Sequence, residues 1–123
     1  MGHAPEFMRV VNEAKKKIRE LTVQVVWEKQ SRGETFHFVD VREDDEWRQG
    51  HAKGACHLGK GVIERDIEGK IPDRKAQIIL YCGGGFRSAL AAEALQRMGY
   101  THVFSMDGGI RGWREVGLPV EID

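Results

Sequence analysis

The chain has 123 residues, 41% of them apolar and 31% charged, which excludes a disordered tract and at this length allows one core rather than two. Its 19 basic and 19 acidic residues cancel, so no net field draws it to nucleic acid or anionic lipid, and any anion chemistry has to come from local structure. No apolar run approaches the roughly 20 residues that span a bilayer, and no secretory apolar core opens the chain, so the cytoplasm is the expected compartment, with Cys56 and Cys82 as reduced thiols.

Met1–Phe7 carries little pattern and reads as a candidate expression remnant, with Met8 as a second candidate start. Pro5 to about Lys17 has helical periodicity, with Met8, Val11 and Ile18 on one side and Lys15–Lys17 facing solvent. Residues 1–17 are thus an N-terminal helical extension and 18–123 a single domain. Ile18–Leu21 ends that helix or forms a first edge strand. Thr22 is positioned to cap a helix over Val23–Gln30, stopped by Gly33. Phe36–Val41 is β-rich. Asp44–Gln49 forms a short helix closed by Gly50, Gly54–Leu58 a short strand, and Val62–Gly69 a turn or two of helix. Ile78–Tyr81 is a continuous apolar run of the kind buried on both faces of a parallel sheet. Ser88–Met98 is the strongest helix, with Leu90, Ala94 and Met98 in one stripe and Gly99 as its stop. Thr101–Ser105 is a strand, and Gly108-Gly109 leads into a short helix containing Trp113. Alternating strands and helices give an α/β class with a mainly parallel central sheet of about five strands and helices on both faces.

The chemistry concentrates at Cys82-Gly83-Gly84-Gly85-Phe86-Arg87-Ser88, between the Ile78–Tyr81 strand and the Ser88–Met98 helix. Sites in such sheets lie at the carboxyl ends of strands, where Cys82 falls. A thiol there meets the positive end of a helix and a turn able to aim several N–H groups inward. The glycines reach backbone angles closed to other residues and let the main chain approach the sulfur. Arg87 adds a cation suited to an oxyanion. The combination lowers a thiol pKa and makes a nucleophilic sulfur. The alternative, a small buried hydrophobe on a flexible connector, does not account for three glycines between a buried strand and a strong helix.

This segment resembles the active-site loop of rhodanese-type sulfurtransferases, C-x-x-G-x-R-[ST]. Asp40-Val41-Arg42-Glu43, Glu46-Trp47 and Gly50-His51-Ala52-Lys53-Gly54-Ala55 resemble the family's D-V-R-x-x-x-E-[FW] and G-H-I-x-G-A segments, and Gly108-Gly109 through Trp113 resembles its G-G-x-x-x-W element. The resemblance implies transfer of a sulfane sulfur from a donor such as thiosulfate to cyanide or a thiol, with a sulfur-accepting protein as a further candidate partner. Cys82 would be the nucleophile and persulfide carrier, and Gly83, Gly84, Gly85, Phe86, Arg87 and Ser88 the substrate-binding loop, with Arg87 either contacting an anionic donor or holding the loop. It implies no cofactor and no metal. Related phosphatases place the arginine six positions after a cysteine preceded by histidine. Here Arg87 is five positions after Cys82 and Tyr81 precedes it, which ranks a phosphatase or arsenate-type enzyme second and a non-enzymatic sulfur-carrier or interaction module third. The chain departs from the family's pattern at Ala52, Lys53 and Cys56. Its Gly83–Phe86 stretch has no basic side chain, which leaves the donor open between thiosulfate and an organic sulfur compound.

Other residues have structural readings. Cys56, His57 and His51 match no common zinc spacing. Arg42 and Glu46 form either an ion pair under the loop or a solvated helix start, Asp107 is a candidate cap for the helix after it, and Trp27, Trp47 and Trp113 are core or sheet-edge packing.

Overall fold

A computed structural model describes residues 2–123. Its elements are α1 (Pro5–Lys15), β1 (Arg19–Thr22), α2 (Val23–Ser31), β2 (His37–Asp40), α3 (Asp44–Arg48), β3 (His51–Ala52), β4 (Cys56–His57), α4 (Ile63–Lys70), β5 (Ile78–Tyr81), α5 (Phe86–Arg97), β6 (Val103–Asp107), α6 (Gly109–Glu115) and β7 (Val120–Glu121). Five strands form a parallel sheet in the order β1-β6-β5-β2-β4, with β5 at its centre. All four β5 residues are fully buried, as the unbroken apolar run requires.

Alternation along β5 builds two cores. Ile78 and Leu80 pack with Val39, Ile63, Ile67, Leu95 and Tyr100 on one face. Ile79 and Tyr81 pack with Val26, Phe38, Met106, Ile110 and Trp113 on the other. Each such aliphatic side chain taken from water contributes roughly 1.5–3 kcal/mol before chain entropy is set against it. Thr22 caps α2, its Oγ1 accepting from the Val25 N–H at 3.1 Å.

Some boundaries move. Arg19–Thr22 is an edge strand paired with β6, which settles the ambiguity at Ile18–Leu21. The α5 helix begins at Phe86 rather than Ser88, and its buried face runs through Ser88, Ala91, Ala92 and Leu95, while Leu90 is half-buried at its rim. The difference arises because α5 is covered on two sides, by the sheet and by α1. Alanines at 89, 91, 92 and 94 leave room for both. The antiparallel pair β3–β7 has no counterpart in the sequence pattern, since two-residue strands show no period.

Candidate active site

Cys82 follows β5 directly and is 1% exposed. The N–H groups of Gly85 and Ser88 donate to its Sγ at 3.2 and 3.4 Å, and Ser88 Oγ lies 3.5 Å from it. Ser88 is the third residue of α5, so an N–H that the helix leaves without a partner meets the sulfur. The N-cap, Gly85, has no side chain for that role, and Cys82 supplies the acceptor from three residues upstream. The positive end of the α5 dipole thus falls on the sulfur. Burial pushes the thiol pKa up, but the Ser88 hydroxyl and the N–H groups of Ser88, Gly85 and Gly84 outweigh it, and the net displacement is downward. Ser88 Oγ is also 2.7 Å from Ser105 Oγ on β6, and both serines are fully buried.

Of the three glycines only Gly85 takes the left-handed conformation, at φ 104°. Gly83 and Gly84 serve a different end from the one expected of them. A Cβ at Gly83 would stand 3.2 Å from Arg87 Nη2, and one at Gly84 3.1 Å from Arg111 Nη1, so their bareness admits two guanidinium groups beside the loop. The start of α6 holds the loop from the other side. The Ile110 N–H donates to the Cys82 carbonyl at 2.9 Å and the Arg111 N–H to the Gly83 carbonyl at 3.0 Å. A Cβ at Gly109, whose φ is 55°, would collide with both carbonyl oxygens. With its carbonyls engaged by α6, the loop has N–H groups left to face the sulfur.

Arg87 donates to both carboxylate oxygens of Glu46 on α3, at 2.7 and 3.0 Å. That fork holds the Glu46 carboxyl down at about 2, against the opposing effect of its partial burial. Glu46 Oε1 also accepts from the Glu43 N–H at 3.0 Å, so one carboxylate closes the α3 capping box and anchors α5. Of the two readings of Arg42 and Glu46, the ion pair is not formed. Arg42 instead donates to Asp40 and to the Gly50 carbonyl, within a buried pair. That places Arg42 as a brace between β2 and β3.

A cavity of about 320 Å³ opens onto Cys82, lined by Gly83, Gly84, Phe86, Arg87, Arg111 and, from the N-terminal segment, His3 and Phe7. The His3 ring meets Phe86 edge-on at 4.8 Å, and Phe7 lies 6.4 Å from Phe86. Arg111, His3, Phe7 and Ser105 also belong to the site. Ser105 interrupts the apolar run Val103–Met106 and Arg111 directly follows Gly108-Gly109-Ile110, which are weak signals. His3 precedes the first helix and carries no signal, and Phe7, at helical spacing from Val11 and Ala14, signals only an inner helix face.

The His51 ring stacks on Trp47 at 3.6 Å, with Nε2 2.9 Å from Asp123 Oδ1, and His57 Nε2 lies 2.8 Å from the Arg42 carbonyl oxygen. Cys56 is exposed on the edge strand β4, opposite Val39, which in turn faces Leu80. Two strand spacings, about 9.5 Å, exceed the roughly 7 Å reach of a disulfide, and both thiols are free. Asp107 ends β6 and makes no cap, because Gly108 is the N-cap of α6; its carboxylate lies 3.7 Å from Lys15. Trp113 is fully buried, with Trp27 edge-on to it at 6.0 Å.

Residues 22–116 match the family model described as the rhodanese-like domain. The chain belongs to the rhodanese-like domain family. Among its relatives, the thiosulfate sulfurtransferase GlpE of Haemophilus influenzae is 35% identical over 84% of this chain and 94% of its own length. The thiosulfate sulfurtransferase PspE of Escherichia coli is 35% identical over 58% of this chain and 69% of its own. A solved thiosulfate sulfurtransferase from Pseudomonas aeruginosa superposes with a TM-score of 0.78 at 30% identity, covering 86% of this chain and 20% of that one. A Rhodopseudomonas palustris protein of unknown function, described as a possible tyrosine phosphatase, superposes with a TM-score of 0.83 at 30% identity over 98% of this chain and 99% of its own. At that coverage the likeness takes in α1, outside the span of the rhodanese-like family model.

Proposed function

We propose that this rhodanese-like chain is a sulfurtransferase that carries a sulfane sulfur as a persulfide on Cys82. The carrying observation is the convergence of the Gly85 and Ser88 N–H groups and the Ser88 hydroxyl on one buried sulfur at the start of α5. The Cys82 thiolate attacks the outer sulfur of thiosulfate, the S–S bond of the donor breaks, and sulfite leaves with the electron pair. The outer sulfur of the resulting Cys82–S–S⁻ lies at the mouth of the same N–H ring, where its charge is stabilised as the thiolate was. Cyanide or a thiolate then takes that sulfur and restores the Cys82 thiolate. No other group need gain or lose electrons. Arg87, forked onto Glu46, holds the loop in shape rather than contacting the donor. The names of the 35%-identical relatives support the same activity, as does the loop's five-step spacing from Cys82 to Arg87. The other partners in this reading are small molecules and, within a cell, a thiol-bearing acceptor in the cytoplasm.

Intact mass of the purified protein after incubation with thiosulfate tests the proposal. One added sulfur that cyanide removes, absent in Cys82→Ser, is the expected result. The likeness to a possible tyrosine phosphatase keeps a second reading in view. Hydrolysis of an aryl phosphate that Cys82→Ser abolishes, without sulfur loading of the wild type, would install that reading instead.

A further inference from the structure

The cavity over Cys82 has two unlike walls. One is cationic. Of its two guanidinium groups, Arg87 is engaged by both oxygens of Glu46, whereas the Arg111 side chain, exposed beside Gly83 and Gly84, has no acidic partner among the described residues. Lys15, whose Nζ lies 5.3 Å from the centre of the Phe86 ring, pairs with Glu20 at 3.3 Å and Asp107 at 3.7 Å. The other wall is aromatic and comes from outside the span of the rhodanese-like family model. Phe7 and His3 reach over from α1 and its leading residues to meet Phe86, with ring centroids of His3 and Phe7 5.4 Å apart. Phe7 stands on the inner face of α1, one turn before Val11 and two before Ala14, which are buried. The seat of Phe7 is therefore fixed by the packing of the whole helix.

Thiosulfate would use only the first wall. A small, strongly hydrated dianion gains nothing from three aromatic rings, whereas an apolar group beside them gains by burial and edge-to-face contact. We infer that the donor site is built for an organic sulfane-sulfur compound with an anionic oxygen head, an organic thiosulfonate R–SO₂–S⁻, with Arg111 holding the head and Phe7, His3 and Phe86 the organic group. This rests on Cys82 being the sulfur carrier. The Cys82 thiolate bonds to the outer sulfur, the bond from that sulfur to the sulfonyl sulfur breaks, and the pair leaves on the sulfinate R–SO₂⁻. The two negative charges on the left are the two on the right, and no proton or oxidant is needed. Arg111 faces the oxygens on which the leaving charge settles.

The test compares benzenethiosulfonate with thiosulfate, cyanide as acceptor, in steady state and by intact mass of the loaded full-length chain. Wild type is expected to show a higher kcat/KM for benzenethiosulfonate by about tenfold. Phe7→Ala should lower kcat/KM for the aryl donor about tenfold more than for thiosulfate. Arg111→Ala should raise KM for both donors, with Arg111→Lys recovering part of the loss. Equal kcat/KM for the two donors, or an equal loss for both in Phe7→Ala, would overturn the aromatic subsite. An unchanged KM in Arg111→Ala would overturn the anion contact. Failure of both donors to load Cys82 is a separate outcome, visible by mass, and removes the sulfur-carrier reading together with this one.

Discussion

Ser88 holds the sulfur twice, through its N–H and through its hydroxyl, and Ser105 holds Ser88. The hydroxyl can donate to a thiolate only while it accepts from Ser105, so the two serines form a short buried chain that favours the anionic sulfur. Ser88→Ala removes a donor to a charged acceptor, worth on the order of 1.5 kcal/mol, and strands the Ser105 hydroxyl. Cys82 alkylation at neutral pH should then slow about tenfold, with its rate profile displaced to higher pH. Exposed Cys56 provides an internal reference, and Ser88→Thr should retain most of the wild-type rate. At this scale the sequence was partly legible. Cys82 and Ser88 could be read because strand, glycine loop and helix are contiguous, so chain order dictates that they meet. Ser105 could not, because it reaches Ser88 across a strand pairing that only the folded sheet supplies. Arg87 was legible as a cation but not as a committed one, since its partner Glu46 lies on another helix 41 residues away.

Among the elements, α3 and α5 are tied by that one fork, and the tie is pH-dependent. The Glu46 carboxyl lies at about 2, below its ordinary 4.5. Folding therefore gains from the ionised form throughout the range above pH 4.5, and the gain drains away as pH falls from there toward 2. Glu46→Gln keeps the side chain's shape and removes the charge. It should lower stability near neutral pH and flatten the acid limb between pH 4.5 and 2, measured as midpoints of thermal unfolding across that range. A wild-type slope surviving intact in Glu46→Gln would place the acid sensitivity elsewhere. Periodicity located α1, α2, α5 and the central β5 because each has either a buried stripe or a fully apolar run. It could not locate β3 and β7, whose two-residue pairing depends on the chain's end returning beside His51. The start of α5 lies two residues before the position its sequence suggests, since Phe86 and Arg87 look like loop in sequence while their backbone is already helical.

At the scale of the molecule, the order β1-β6-β5-β2-β4 puts the loop after β5 at the middle of the sheet's carboxyl edge, with α6 and α3 on its two sides and α1 across its mouth. The central sheet and its two covered faces followed from alternation of elements. The role of His3 and Phe7 did not, because the spacing of Phe7 from Val11 and Ala14 marks only the inner face of a helix, and nothing in chain order brings Phe86 beside it. A chain started at Met8 separates the two functions of that N-terminal segment. Val11 and Ala14 remain and stay buried against α5, and the Glu6–Arg9 pair that is lost is 80% and 62% exposed and contributes little. The cost in stability should be on the order of 1 kcal/mol, read from chemical denaturation. The donor preference should suffer far more, since Phe7 and His3 go together. The ratio of kcat/KM for benzenethiosulfonate over that for thiosulfate is expected to fall at least as far as in Phe7→Ala. A ratio held at the wild-type value with those rings absent would mean that Phe86 alone, or nothing in this wall, selects the donor. A drop in both donors together, with a large loss of stability, would mean that the N-terminal turn shapes the loop rather than the cavity above it.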